Sequence, residues 1–139
     1  MEGFPVRVRV DVRFRDLDPL GHVNNAVFLS YMELARIRYF QRISPDWLEE
    51  GHFVVARMEV DYLRPILLGD EVFVGVRTVG IGRSSLRMEH LVTATAFLKQ
   101  DVLTCLRLER GTAHGIFKIG DRLGRAPVGA NAPEVGDVR

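Results

Sequence analysis

The feature that most constrains the fold of this chain is the segment from Asn25 to about Phe40. It contains no proline or glycine and is long enough for about four turns of α-helix. At helical spacing its apolar side chains fall on nearly every side, and between Asn25 and Arg36 only Ser30 and Glu33 are strongly polar. A helix that is apolar all round is buried. This helix therefore needs a sheet wrapped around it.

The rest of the chain supplies that sheet. From residue 6 to 15, apolar side chains at even positions alternate with charged ones at odd positions, which predicts a strand with one buried face. Further strands are predicted at 53–63, 71–79, 84–98, 102–110 and 112–119, separated by turns rich in proline, glycine or aspartate. The pattern predicts one α+β domain over 1–119, an antiparallel sheet around one long helix, and a loosely ordered tail over 120–139.

Composition excludes several classes of protein. A formal net charge of +1 argues against a nucleic-acid-binding protein, and the longest apolar runs are far too short for a membrane span. The N-terminus shows no secretory signal and Cys105 is the single cysteine, so we expect a cytoplasmic protein without disulfide or zinc. Lys99 and Lys118 are the only lysines among 19 basic residues. The excess of arginine is compatible with a phosphorylated small ligand, but the base composition of the genome is the favoured explanation for most of these residues.

The densest polar cluster lies between the first strand and the helix, at Asp16, Asp18, His22, Asn24 and Asn25. The start of a helix offers unpaired N–H groups and a partial positive charge, which can stabilise an oxyanion. A carboxylate beside such a site can activate water or attack an acyl carbon. The alternative is purely structural, with an ordinary Asp-Pro turn followed by an asparagine that caps the helix.

The segment from Asp18 to Arg36, with its Gly-His-Val-Asn-Asn core at 21–25, resembles the signature of the 4-hydroxybenzoyl-CoA thioesterase-like hotdog enzymes. The segments 60–65, 69–70 and 82–85 also match that family, and the resemblance covers about residues 6–119. It implies a hotdog fold and an acyl-CoA thioesterase that hydrolyses the thioester to free acid and coenzyme A. No cofactor and no metal are implied.

The resemblance also implies roles for individual residues. Asp18 is the nucleophile or general base, the backbone N–H of Asn25 polarises the thioester carbonyl, and His22 orients the substrate. Asn24 braces the loop, and Glu33 stabilises the loop or pairs with Arg36, although in another hotdog lineage a helix carboxylate is catalytic. Further candidates contact the substrate: Arg64, Arg83 and Arg87 for coenzyme A phosphates, and Ser84 and Ser85 for the shape of the hairpin or pocket.

Three other functions remain open at this point. The chain could be a hotdog module that binds an acyl thioester without turnover, a thioesterase for acyl-carrier-protein substrates, or a hotdog hydratase. An intact Asp18 favours a hydrolase. A sheet around one helix leaves an edge and a face uncovered, and the resemblance implies a homodimer or homotetramer with active sites at the interface.

Overall fold

The computed structural model describes residues 1–46, 53–95 and 102–109. The predicted strand at 112–119, His114 within it, and the predicted tail at 120–139 lie outside these described residues. For residues 102–109 the structure describes the backbone.

One α-helix and five strands make up the described fold. The strands are β1 (Val6–Asp11), β2 (Val54–Val60), β3 (Glu71–Ile81), β4 (Ser85–Ala94) and β5 (Val102–Glu109), and the helix is α1 (Asn25–Ile43). The strands form one antiparallel sheet in the order β1-β3-β4-β5-β2. The helix packs against β1 and β3. The predicted α+β arrangement is confirmed.

The inner face of the sheet is set by the alternation in the sequence. Three valines of β1 are buried and lie opposite three buried valines of β3, in the pairs Val6–Val76, Val8–Val74 and Val10–Val72. Pairs of β-branched side chains on one face are a main source of sheet stability. The same face continues on β4 through Met88, His90 and Val92, all buried.

The first strand is shorter than the alternation predicted. It ends at Asp11 rather than at residue 15, because its neighbour β3 begins at Glu71, the partner of Asp11. Beyond that point the chain has no strand to pair with, and Phe14–Asp16 form a short 3-10 helix instead. The exposed ring of Phe14 shows that the alternation does not continue into the core.

The predicted helix is confirmed and extends three residues beyond Phe40. Its buried side chains include Phe28, Met32, Ala35 and Phe40, which fill the space under the sheet. Arg36 is also buried, with its guanidinium 5.7 Å from the centre of the Phe53 ring. None of the helices in the described residues is both long enough and apolar enough to cross a membrane.

Candidate active site

The residues between the 3-10 helix and α1 form a closed loop. Leu17 and Val23 pair as an antiparallel bridge, and the Asp18 N–H donates to the His22 carbonyl at 2.7 Å. A turn inside the loop is closed by the Gly21 N–H, which donates to the Asp18 carbonyl at 3.0 Å. Gly21 has φ of 79°, a conformation that favours glycine. The loop thus holds Asp18 by its own backbone.

Asp18 is partly buried, and one of its carboxylate oxygens is engaged by the loop. Oδ1 accepts hydrogen bonds from the N–H of Leu20 at 2.9 Å and from the N–H of His22 at 3.2 Å. Two backbone donors on one oxygen fix the orientation of the carboxylate. Within the part of the chain that the structure describes, no donor is bound to Oδ2. That oxygen is the one available to a water molecule or an acyl carbon.

The loop ends at the first turn of α1, where Asn24 is the N-cap residue. Its Oδ1 accepts from the Ala26 N–H at 2.9 Å, and its carbonyl accepts from the Val27 N–H at 2.8 Å. The structure therefore gives Asn24 the capping role, which is worth about 1 kcal/mol. The N–H of Asn25 has no acceptor among the described residues, as is usual for the first N–H of a helix. It remains available as a donor at the positive end of the helix dipole.

Asp18 and Asn25 line one cavity of about 190 Å³. The remaining lining residues are apolar, aromatic or basic: His22, Val23, Phe28, Tyr62, Arg64 and Pro65. A carboxylate, the start of a helix and a cation therefore share one small opening. Acyl transfer uses groups of these kinds, a carboxylate that can act as nucleophile or base and an N–H that can stabilise an oxyanion.

Tyr62 and Phe28 form the aromatic side of this cavity. Their rings meet edge to face with centroids 5.3 Å apart, a favourable geometry for aromatic pairs. The Tyr62 hydroxyl also donates to the Asn25 carbonyl at 2.9 Å. Burial raises the pKa of Tyr62, so its hydroxyl stays a donor at neutral pH. Tyr62 therefore ties the 62–65 segment to the start of α1.

The other candidate residues do not converge on this cavity. Ser85 and Arg87 line a second cavity of about 340 Å³ at the turn between β3 and β4, together with Gly80, Ile81, Gly82 and Leu86. Arg83 and Ser84 lie in the same turn but line neither cavity. The carboxylate of Glu33 accepts from Arg36 at 3.3 Å and lines neither cavity. The expected pairing of Glu33 with Arg36 is therefore present.

Two kinds of site residue were missed in the sequence. Phe28 and Tyr62 belong to the segments that carry the family resemblance, but an aromatic side chain in an apolar pattern gives no separate sign of a pocket. The sequence gives Asp16 no role within the polar cluster, and Tyr31 falls within the apolar pattern of the helix. Their hydroxyl–carboxylate contact of 2.8 Å joins residues 15 positions apart. Local sequence patterns do not reveal such a pair.

Comparison with known proteins decides the family. The sequence profile of the thioesterase-like superfamily matches residues 12–120. The chain belongs to this superfamily. The predicted family and its hotdog fold are confirmed.

Two solved thioesterases and one protein compared by sequence are similar to this chain. A thioesterase from Thermus thermophilus, solved with coenzyme A and zinc, is 72% identical with a TM-score of 0.74, over 91% of this chain and 100% of that one. DHNA-CoA thioesterase from Staphylococcus aureus is 14% identical with a TM-score of 0.67, over 75% of this chain and 72% of that one, and shows a shared fold. YsmA of Bacillus subtilis, described as uncharacterized, is 36% identical over 84 residues, which are 60% of this chain and 57% of that protein. The chain thus spans little more than half the length of that relative.

The related Thermus structure contains zinc, whereas the His, Cys, Asp and Glu side chains in the described part of this chain lie too far apart for any three of them to hold a metal ion.

Proposed function

We propose that this protein hydrolyses acyl-CoA thioesters to a free acid and coenzyme A, with Asp18 as the catalytic carboxylate. The observation that carries the proposal is that Asp18 and Asn25, the first residue of α1, line the same cavity. The coenzyme A in the related Thermus structure supports the choice of thioester. Family membership supports hydrolysis as the reaction.

The reaction places a negative charge on the thioester oxygen when an oxygen nucleophile adds to the carbonyl carbon. The N–H of Asn25 and the dipole of α1 would stabilise that charge. Oδ2 of Asp18 would act in one of two ways. As general base it takes a proton from water while the water oxygen forms the new bond to carbon; as nucleophile it forms an acyl–aspartyl anhydride that water then hydrolyses. In both routes the carbon–sulfur bond breaks and coenzyme A leaves as a thiolate that takes up a proton.

His22 and Arg64 complete the proposed site. His22 lines the cavity and would orient the substrate, because its backbone, rather than its ring, makes the hydrogen bonds to Asp18. Arg64 lines the same cavity and is a candidate for a coenzyme A phosphate. Arg87 and Ser85 offer a second contact region at the turn between β3 and β4. Arg83 in that turn remains a candidate for contact with a coenzyme A phosphate, and Ser84 a candidate for shaping the hairpin or pocket.

Release of free thiol from a panel of acyl-CoA substrates tests the activity. The panel contains short, medium and long fatty acyl groups and an aromatic one, because the cavity walls do not select among them. The same acyl group carried on an acyl-carrier protein is the matched comparison. We expect faster hydrolysis of at least one coenzyme A thioester than of its carrier-protein form. Hydrolysis of the carrier-protein thioesters alone would contradict the proposed substrate.

We also propose that the active form is a homodimer or larger. A cavity of about 190 Å³ is smaller than the roughly 300 Å³ at which small-molecule sites begin, so at this cavity the described residues of one chain do not enclose an acyl group. Leu20, two positions from both Asp18 and His22, is 78% exposed, and Leu63, between Tyr62 and Arg64, is 60% exposed. The edge strand β2 also exposes Val54. Exposed apolar groups and an open sheet edge are what a second copy would cover.

Light scattering combined with activity measurements tests this assembly. The expected result is a particle of at least twice 15.7 kDa, with turnover that is lost when dilution produces monomers. Turnover should depend on the dimer because the described residues of one chain leave apolar surface exposed beside the cavity, and the acyl group needs that surface to be covered. A monomer of 15.7 kDa with full turnover would contradict the proposal.

A further inference from the structure

The carboxylate of Asp16 is buried two residues before Asp18, with 3% of the residue exposed. Three donors converge on its Oδ2: the Tyr31 hydroxyl at 2.8 Å, the Arg13 N–H at 2.9 Å and the Arg13 Nε at 3.2 Å. A buried carboxylate is stable only when such bonds replace its lost hydration. Burial by itself raises the pKa of Asp16, but the hydrogen bonds from Arg13 and Tyr31 outweigh it and hold the pKa below the usual value.

The backbone of Asp16 closes the loop that carries Asp18, between the 3-10 helix and α1. Its carbonyl accepts from the Asn24 N–H at 2.8 Å, so the residue before the loop is bonded to the residue that ends it. Asn24 caps the helix, and Asn25 follows it directly. Asp16 therefore lies at the point where Asp18 and the Asn25 N–H are fixed relative to one another.

Tyr31 connects this point to the body of the helix. It is 2% exposed and lies in the second turn of α1, beyond the first turn that faces the cavity. Burial, with the bond to Asp16 and its negative charge, raises the pKa of Tyr31 well above its usual value, so the hydroxyl stays protonated and donates a hydrogen bond to the carboxylate. Neither Asp16 nor Tyr31 lines the cavity.

We propose that Asp16 and Tyr31 are positioning residues, whose buried hydrogen bond sets the placement of the Asp18 carboxylate against the Asn25 N–H. This inference rests on the proposed function, in which those two groups act on the same thioester carbonyl. A displacement of about 1 Å in such a pair can cost about a hundredfold in rate. Neither positioning residue touches the substrate, so their removal affects the rate of the chemical step rather than substrate binding.

Tyr31→Phe is the variant that tests the inference, because it removes only the hydroxyl. Tyr39→Phe is its matched control: Tyr39 is equally buried on the same helix, and its hydroxyl is 2.9 Å from Thr78 Oγ1, away from the loop. We expect Tyr31→Phe to lower kcat by about tenfold or more with KM changed by less than about threefold. Tyr39→Phe is expected to lower the melting temperature by a similar amount but to keep kcat within about twofold. Unchanged kcat in Tyr31→Phe, or an equal loss in Tyr39→Phe, would overturn the inference.

Amide hydrogen exchange gives a test that needs no substrate. In Tyr31→Phe the Asp18 and Asn24 amides, whose bonds close the loop, should exchange about tenfold faster or more, while Tyr39→Phe leaves them unchanged. Unaltered exchange at both amides in Tyr31→Phe would show that the pair does not hold the loop. Wild-type protein is measured in the same series. If it hydrolyses no thioester, the proposed function fails, and the exchange result alone decides whether the pair braces the loop.

Discussion

Asp18→Asn is expected to lower the turnover number for acyl-CoA by about a thousandfold, equivalent to about 4 kcal/mol in the activation barrier. Asparagine keeps the size of the side chain, and its amide oxygen can still accept the bonds that the Leu20 and His22 N–H groups make to Oδ1. The negative charge at Oδ2 is lost, and with it the group that activates water or attacks the acyl carbon. Steady-state kinetics measure turnover, and calorimetry with coenzyme A measures binding, which is expected to change by less than about threefold.

Glu33→Gln is the matched control for this variant. Its carboxylate is mostly exposed and pairs with Arg36, so the change removes one acidic charge outside the cavity, and we expect turnover within about twofold of wild type. The turnover number of His22→Ala should lie between those of the two carboxylate variants, about tenfold to a hundredfold below wild type, because the proposed role of His22 is to orient the substrate. Near-normal turnover in Asp18→Asn together with loss of turnover in Glu33→Gln would move the catalytic carboxylate to the helix.

Acidification from pH 6.5 to pH 3 is expected to remove roughly 4 kcal/mol from the free energy of unfolding through His90 alone. The residue is completely buried on the inner face of β4, and neither ring nitrogen has a well-formed hydrogen bond among the described residues. Burial, and then the nearby positive charge of Arg36, lower its pKa from 6.5 to about 3, which a weak backbone interaction with Met32 offsets only in part.

Stability falls on acidification because the unfolded state binds a proton at His90 at a higher pH than the folded state does. Below pH 6.5 the unfolded chain protonates this histidine, whereas the folded chain does so only near pH 3. Stability is therefore full above pH 6.5 and falls at about 1.4 kcal/mol per pH unit down to the folded pKa. Asp16 adds a separate loss at lower pH, since its folded pKa lies below 3.8.

His90→Leu isolates the contribution of this histidine. Leucine is of similar volume and cannot be protonated, so the variant should lose about 2 kcal/mol less than wild type between about pH 6.5 and 4.5. Urea unfolding at both pH values measures the difference, and the variant should be no less stable at about pH 7, because it removes two buried nitrogens without good partners. Parallel losses of stability in the two proteins would show that His90 does not cause the acid sensitivity.

The sequence alone predicted those parts of the fold that depend on neighbouring residues. The alternation of β1 placed Val6, Val8 and Val10 on the buried face, and the absence of proline and glycine after Asn25 located the helix. The end of β1 at Asp11 was not predictable, because it depends on where β3 begins, sixty positions later in the chain. The placement of β5 between β4 and β2 is non-local for the same reason.

The candidate site likewise contains some residues whose placement follows from local sequence and others whose placement depends on distant parts of the chain. Asp18, His22 and Asn25 lie in one short segment, so a sequence pattern could place them together, and they do line one cavity. Tyr62 reaches the start of α1 from 37 positions away, and Ser85 belongs to a different cavity from Asp18. The pairing of Arg36 with Glu33 followed from helical spacing, but its burial depends on the sheet that covers the helix.

The central claim is that this chain catalyses hydrolysis of an acyl-CoA. The most direct measurement is a mass balance over many turnovers in ¹⁸O-labelled water, using an unsaturated acyl-CoA that could also be hydrated. We predict equal amounts of coenzyme A and free acid, with one solvent oxygen in each carboxylate, since both roles of Asp18 draw that oxygen from water. Recovery of intact thioester from protein that binds it, or of a hydrated thioester with its carbon–sulfur bond intact, would contradict the claim.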